Sequence, residues 1–322
     1  MRVLVTGGAG FIGSHLVEAL AARGDSVSVL DDCSTGREEN LRPVAGRPGF
    51  RFVRGDVREP AAVADAAEGC EAVYHLAAAV GVRLIVEQPV RSIETNIHGT
   101  ENVLRAAAER GVPILVASSS EVYGKGMRCP FTEDDDIVLG PTTVMRWSYA
   151  AGKAVDEFLA LAHFREHGTR AVVARFFNTV GPRQVGRYGM VIPRFVEQAL
   201  GGGPITVYGD GTQTRCFGFV GEVVRACIAL LGTPAAWGRV FNVGSPHEVS
   251  VNDLAGKVRA LVAPGCAIEH VPFEVAYGPG FEDLDRRVPS VDRLARTIGF
   301  TPSRTLDEFL PEIVEEVRRR RG

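Results

Sequence analysis

The stretch Val3-Leu4-Val5-Thr6-Gly7-Gly8-Ala9-Gly10-Phe11-Ile12-Gly13-Ser14-His15-Leu16-Val17 joins a short apolar run to a helical pattern through a turn made almost wholly of glycine. Few folds use such a segment. The apolar run reads as a buried strand, and the periodicity that begins near Phe11 is that of a helix. Gly8, Gly10 and Gly13 satisfy G-x-G-x-x-G, whose glycines permit a tight turn, close approach of backbone to a diphosphate, and close packing of helix on strand. The helix N-terminus then attracts the anion. A second apolar run, Val27-Ser28-Val29-Leu30, ends in Asp31 and Asp32, close to the ~20 residues beyond the glycines at which an acid hydrogen-bonds ribose hydroxyls and repels a 2′-phosphate. NAD is therefore favoured over NADP, with Arg37 the nearby residue that would suit a 2′-phosphate instead.

Further β-rich runs follow the same rhythm. Arg2–Val5, Val27–Leu30, Phe50–Val53, Ala72–His75, Ile114–Ala117 and Ala171–Arg175 alternate with helical patterns at Ser14–Arg23, Ala61–Ala67, Ile93–Arg110 and Tyr149–His167. Alternation of this kind specifies an α/β fold, a doubly wound parallel sheet of Rossmann type with its ligand at the carboxyl ends of the strands. After Asn178 the pattern changes. Gly181-Pro182-Arg183 turns the chain, a helix is expected near Pro193–Leu200, and Gly201-Gly202-Gly203-Pro204 leads into Ile205-Thr206-Val207-Tyr208. A helix at Glu222–Leu231 and a strand at Val240–Val243 come next.

Tyr149 and Lys153 stand four residues apart in Trp147-Ser148-Tyr149-Ala150-Ala151-Gly152-Lys153, which puts both on one face of a helix. The ammonium favours the phenolate. The expectation is a tyrosine pKa brought down from about 10 toward working pH, as a general base acting on a sugar or alcohol hydroxyl requires.

Together, Thr6-Gly7-x-x-Gly10-x-x-Gly13 and Tyr149-x-x-x-Lys153 resemble the short-chain dehydrogenase/reductase superfamily, in particular its extended branch of sugar-nucleotide epimerases, decarboxylases and dehydratases. The resemblance runs through Gly55-Asp56-Val57, His75-Leu76-Ala77-Ala78, Asn96-Ile97-His98-Gly99-Thr100, Ser118-Ser119-Ser120-Glu121-Val122-Tyr123-Gly124 and Arg175-Phe176-Phe177-Asn178, and so covers nearly the whole chain. Gly152 departs from it, standing where the family usually has Ser. The resemblance implies two interleaved domains: residues 1–176 plus 218–246 for NAD, and a smaller, discontinuous α/β substrate domain of 177–217 plus 247–322.

It also implies roles. Tyr149 and Lys153 would act with Ser119, which holds the reacting oxygen, and Glu121. The cofactor would lie along Gly7, Gly10, Phe11, Ile12 and Gly13, with Asp31 and Asp32 at its ribose. Asp56, Val57, Leu76, Ala77, Ala78 and Asn96 would complete that part of the site, together with Tyr149 and Lys153. The nucleotide sugar would meet Ser120, Asn178, Val191 and Tyr208, with Arg215 and Arg287 at its diphosphate. Arg183 and Arg187, just past Asn178, are placed to set a cation against a C6 carboxylate.

Glu121 bears most on the reaction. Ser-Ser-Glu looks like the Thr-Ser-Glu of UDP-glucuronate decarboxylases and GDP-mannose dehydratases, whereas dTDP-glucose 4,6-dehydratases carry an Asp where this chain has Ser120. The segment after His75 lacks the proline-rich stretch of the xylose-forming decarboxylases. The expectation is thus an NAD-dependent 4-epimerase of UDP-glucuronate or UDP-glucose working through a transient 4-keto intermediate, with a UDP-glucuronate decarboxylase as the alternative and a 4,6-dehydratase as the third reading. A non-catalytic NAD or sugar-nucleotide binding module is the reading from another class.

Composition excludes other classes. A net charge of −3 over 322 residues gives no field for nucleic acid. Six scattered cysteines without a C-x-x-C pair indicate neither zinc nor a disulfide framework, and the seven histidines lack ligand spacing, so no metal is expected. No apolar run approaches the ~20 residues of a membrane span, and a cytoplasmic enzyme is expected. The resemblance adds a homodimer built on Ile93–Arg110 and Tyr149–His167.

Overall fold

In the first strand Val3 and Val5 face one side and Leu4 the other, and all three are sealed from solvent. A strand apolar on both faces must be sandwiched between helices. The computed structural model, which describes residues 1–81, 87–126, 128–186, 190–277 and 286–321, shows that sandwich. Its first part runs β1 (Arg2–Thr6), α1 (Phe11–Ala22), β2 (Ser26–Asp31), β3 (Phe50–Arg54), α2 (Pro60–Ala66), β4 (Ala72–His75), α3 (Pro89–Arg110), β5 (Ile114–Ser119), α4 (Arg146–His167) and β6 (Ala171–Phe176). There follow β7 (Thr179–Val180), α5 (Val191–Leu200), β8 (Ile205–Tyr208), β9 (Thr214–Cys216), β10 (Gly218–Phe219), α6 (Val220–Leu231) and β11 (Arg239–Val243). The rest comprises β12 (Glu248–Ser250), α7 (Val251–Val262), β13 (Ile268–Val271), α8 (Phe273–Tyr277), α9 (Asp292–Ile298) and α10 (Leu306–Arg321).

Among the described residues seven strands form one parallel sheet in the order β11-β6-β5-β4-β1-β2-β3. Leu16 and Leu20 of α1 and Val223 and Leu230 of α6 fill one face. Ala66 of α2, Val103 and Leu104 of α3 and Ala160 of α4 fill the other. A third apolar cluster joins Phe195 of α5, Val207 of β8, Leu254 of α7 and Phe309 and Ile313 of α10, outside the sheet. The chain leaves the sheet after β6 and comes back with α6 and β11, as the patterns at Glu222–Leu231 and Val240–Val243 predict. Where it leaves and where it returns, Thr179 and Val180 lie in register with Gly218 and Phe219.

Strand order reverses between β1 and β4, and there ligands of such sheets bind, beyond the carboxyl ends. Thr6 and His75 end those two strands side by side, with Thr6 Oγ1 2.7 Å from His75 Nδ1.

Helices α3 and α4 both stop at a glycine in the left-handed region, Gly111 (φ 62°) and Gly168 (φ 67°). Inside α4, Gly152 is a helical glycine whose added Cβ would meet Asn96 Cβ at 4.0 Å, an ordinary contact. Gly152→Ala is accordingly expected to stabilise the protein by about 0.5–1 kcal/mol. Scanning calorimetry should show Tm rising by about 1–2 °C.

Candidate active site

The carboxyl ends of the strands open into a continuous cleft of ≈ 1030 Å³ that runs from the glycine loop past Tyr149 to Tyr208, Arg215 and Arg287. At one end Gly7 sits at φ 71° with its Cα side against Ala77, whose N would lie 2.7 Å from an added Cβ. A Cβ on Gly13 would fall 2.1 Å from Gly7 O. Both glycines are therefore demanded by contact as well as by the motif. The N-terminus of α1 carries neither a side-chain cap nor an acid in its first turn, which leaves its positive end for an anion.

Asp31 ties this loop in place: Oδ2 accepts from Ala9 N (2.9 Å) and Oδ1 from Cys33 N (2.8 Å). Burial pushes its carboxyl up, and those two amides hold it partly down. Asp32 lies beside it, accepting from Ser34 N at 2.8 Å. Asp56 accepts from its neighbour Arg58 through Nη2 at 2.7 Å, which holds its carboxyl below the usual range. Val57, Leu76, Ala77 and Ala78 complete the wall. This cradle, uncapped helix end and pair of acids fit NAD. Asn96 does not line the cleft; it is buried behind it, where its Oδ1 accepts from Ala79 N at 2.8 Å and shapes the loop after β4.

Midway along the cleft α4 presents Tyr149 and Lys153. Lys153 is 2 % exposed, and its Nζ donates to Ala117 O (3.0 Å) and Asp156 Oδ2 (3.1 Å). Burial works against the ammonium, yet the Asp156 carboxylate and Tyr149 outweigh it and hold Lys153 above its ordinary range. The expected lowering of the Tyr149 pKa is not found. Burial raises the phenol, Lys153 opposes that, the Glu121 charge adds to it, and the net direction is up. Desolvation of the phenolate outweighs one ammonium whose field is shared with a carboxylate.

Ser119 caps the turn that follows β5 by accepting from Glu121 N at 3.2 Å, and its hydroxyl eases the Tyr149 phenolate. It therefore serves both as a strand-end cap and as a group of the cleft. Ser120 is buried beside it. The Glu121 carboxylate, partly exposed to the cleft, is held by arginines: Arg287 Nη1 donates to its Oε1, and Arg146 Nη2 lies 3.7 Å from its Oε2. Burial resists ionisation of Glu121, but Arg287 and Arg146 prevail and keep its carboxyl below the usual range.

Toward the far end, Asn178 Nδ2 donates to Cys216 O at 3.3 Å, and Tyr208 stacks under the Arg194 guanidinium at 3.8 Å. Arg215 and Val191 share that wall. Arg287, expected at the diphosphate, lines the cleft and donates to Glu121. Arg183 pairs with Glu18 of α1, and Arg187 lies outside the described residues.

Sequence reasoning missed Arg146 and Asp156. The signal was present, since Arg146 stands one turn before Tyr149 and Asp156 one turn after Lys153 on the same face.

Comparison with known proteins agrees with this geometry. Residues 3–244 match the sequence model of the NAD dependent epimerase/dehydratase family. The UDP-N-acetyl-alpha-D-glucosaminuronate decarboxylase of Bacillus cytotoxicus is 39% identical over 318 residues, 98% of either chain. UDP-glucuronic acid decarboxylase 1 of Arabidopsis thaliana is 37% identical over 320 residues, covering 99% of this chain and 70% of its own. Among solved structures, the UDP-glucose 4-epimerase of Thermotoga maritima with UDP-glucose superposes with a TM-score of 0.89 at 28% identity, covering 100% of each chain. The dTDP-glucose 4,6-dehydratase of Streptomyces venezuelae with NAD bound gives 0.88 at 31%, covering 100% of this chain and 98% of the other.

Proposed function

Because this chain belongs to the NAD dependent epimerase/dehydratase family, we propose that it uses NAD to decarboxylate a UDP-linked hexuronic acid through a 4-keto sugar. The sequence reading put 4-epimerisation first and decarboxylation second. Likeness to relatives supports the opposite order: the two decarboxylases are 39% and 37% identical to this chain over the aligned residues, against 28% and 33% for two UDP-glucose 4-epimerase structures. That resemblance carries the proposal, and the cluster around Glu121 supports it.

Bound along the glycine loop, NAD supplies a hydride acceptor for C4 of the sugar and a hydride donor afterwards. In this reading Tyr149 takes the proton of the 4-hydroxyl, with Ser119 on the same oxygen and Lys153 stabilising the phenolate. The carboxylate at C6 is then β to a ketone. As the C5–C6 bond breaks, its electron pair flows into the C4 carbonyl, carbon dioxide leaves, and the enolate takes a proton from water at C5. Tyr149, now protonated, donates to the enolate oxygen. Arg146, Arg215 and Arg287 stand around the Glu121 carboxylate, and guanidinium groups there are of the sign and shape that suit a substrate carboxylate. Glu121, kept ionised, favours departure of its like-charged neighbour as neutral carbon dioxide.

Incubation with NAD and UDP-glucuronate or UDP-N-acetylglucosaminuronate labelled with carbon-13 at C6 is expected to release labelled carbon dioxide. A product of unchanged mass and shifted chromatographic retention would overturn the proposal in favour of epimerisation.

A second copy of the chain belongs to the same reading. Val90 (67 % exposed) on α3 and Phe158 (68 % exposed) on α4 leave apolar surface uncovered where a four-helix dimer would form. Light scattering is expected to give twice the 34.6 kDa of one chain, and a monomer at working concentration would remove the dimer. The division into 1–176 plus 218–246 and 177–217 plus 247–322 is likewise proposed as the functional one. A cytoplasmic setting is proposed from the six cysteines, all unpaired. Among the described residues no helix is long and apolar enough to cross a membrane.

A further inference from the structure

Asp156 is fully buried, and only one of its oxygens is engaged. Oδ2 accepts from Lys153 Nζ at 3.1 Å, whereas Oδ1 has no hydrogen-bond partner. A half-satisfied carboxylate with 0 % of its side chain exposed is costly in itself, and what it offsets is the charge of the buried Lys153. Its position points to a further role. Tyr149, Lys153 and Asp156 stand at i, i+4 and i+7 on α4, one continuous stripe that ends in the cleft at the phenol.

We propose that Asp156 is a positioning residue which clamps Lys153 between itself and Ala117 O and offsets part of the ammonium's field at the Tyr149 hydroxyl. The inference rests on Tyr149 being the base of the proposed reaction. With the carboxylate in place Lys153 stays charged, and its pull on the phenolate is moderated. Tyr149 then holds the proton it has taken from the substrate more firmly than a phenol facing a lone ammonium.

The other charged and titratable groups around this stripe are few. From the β5 turn Glu121 faces Tyr149 and raises it, with Arg287, Arg146 and Arg215 around that carboxylate. Glu157, next on α4, is bound to Arg175 of β6 and to Ser118. From α3 Thr100 reaches His75 of β4, whose Nε2 lies 3.0 Å away; burial first and Lys153 second pull that imidazole down to about 3, so it is neutral. Burial pushes Asp156 itself up while Lys153 first and the Thr100 hydroxyl after it draw it down. None of these replaces Asp156 as the counter-charge hydrogen-bonded to Lys153 Nζ.

Asp156→Asn keeps the acceptor and removes the charge. Both limbs of the kcat/KM profile are then expected to slide to lower pH, by about one unit for the acid limb. Phenolate absorbance of the NAD-bound enzyme, taken as the difference from Tyr149→Phe, should move with that limb. Asp156→Glu should leave both limbs in place even if kcat falls, and Asp156→Ser serves if the Asn variant does not fold. Limbs unmoved by Asn and Ser, or moved upward, would overturn the inference, as would Glu shifting them as far as Asn. Retained turnover in Tyr149→Phe would sink the base assignment instead, so the two failures are distinguishable.

Discussion

Tyr149→Phe is expected to lower kcat by roughly 10²–10⁴-fold, the range that a single positioned acid–base group supplies, while NAD binding stays close to that of the parent. The phenol reaches the cleft from α4, one turn before a lysine whose nitrogen is fixed by two hydrogen bonds. Burial keeps Tyr149 protonated in the free protein more firmly than a simple Tyr–Lys pair suggests. Its activation therefore depends on charge brought by the ligands. The rate of the free-to-ternary complex should accordingly fall off at low pH and rise as the phenol ionises. Stopped-flow absorbance of the reduced cofactor, with isothermal titration of NAD, separates the two effects. Turnover within threefold of the parent would rule out the base assignment.

Glu157→Leu is expected to destabilise the fold by about 3–5 kcal/mol, the range for breaking a buried ion pair by removing one partner. Arg175 reaches Glu157 through Nε at 2.9 Å and Nη2 at 2.7 Å, Ser118 donates to the same carboxylate at 2.5 Å, and both charged side chains are 5 % exposed. These bonds pin α4 to the ends of β5 and β6. Losing them strands a guanidinium under the helix that carries Tyr149 and Lys153. Glu157→Leu combined with Arg175→Met should recover much of the loss, since no unpaired charge remains. Urea denaturation of the single and double variants measures both; a single variant within 1 kcal/mol of the parent would show the pair to be dispensable.

The sheet was legible because its strands are apolar on both faces and its turns are glycines that no other residue replaces, as the Gly7 and Gly13 contacts show. Almost every expected site residue lines one cleft for the same reason: parallel strands deliver their carboxyl ends to one edge. Asn96 escaped because a motif does not reveal which way a side chain turns, and here it turns to a loop amide. The direction of the Tyr149 shift escaped because spacing reports the ammonium but not the burial or the second carboxylate beside it. The pairing of Arg287 with Glu121 escaped because the two stand 166 residues apart in the chain. The choice of reaction turned on whole-chain likeness, which no short segment after His75 could carry.

Finally, the in-register meeting of Thr179–Val180 with Gly218–Phe219 has an evolutionary consequence. The excursion between them starts and finishes at the same spot, so it behaves as a cassette. Insertions, deletions or replacement there keep all seven strands of the sheet, with the Arg183–Glu18 pair on α1 and the apolar cluster shared with α7 and α10 as the contacts to be kept. Descendants of such a chain are free to reshape the far end of the cleft without relearning how to fold.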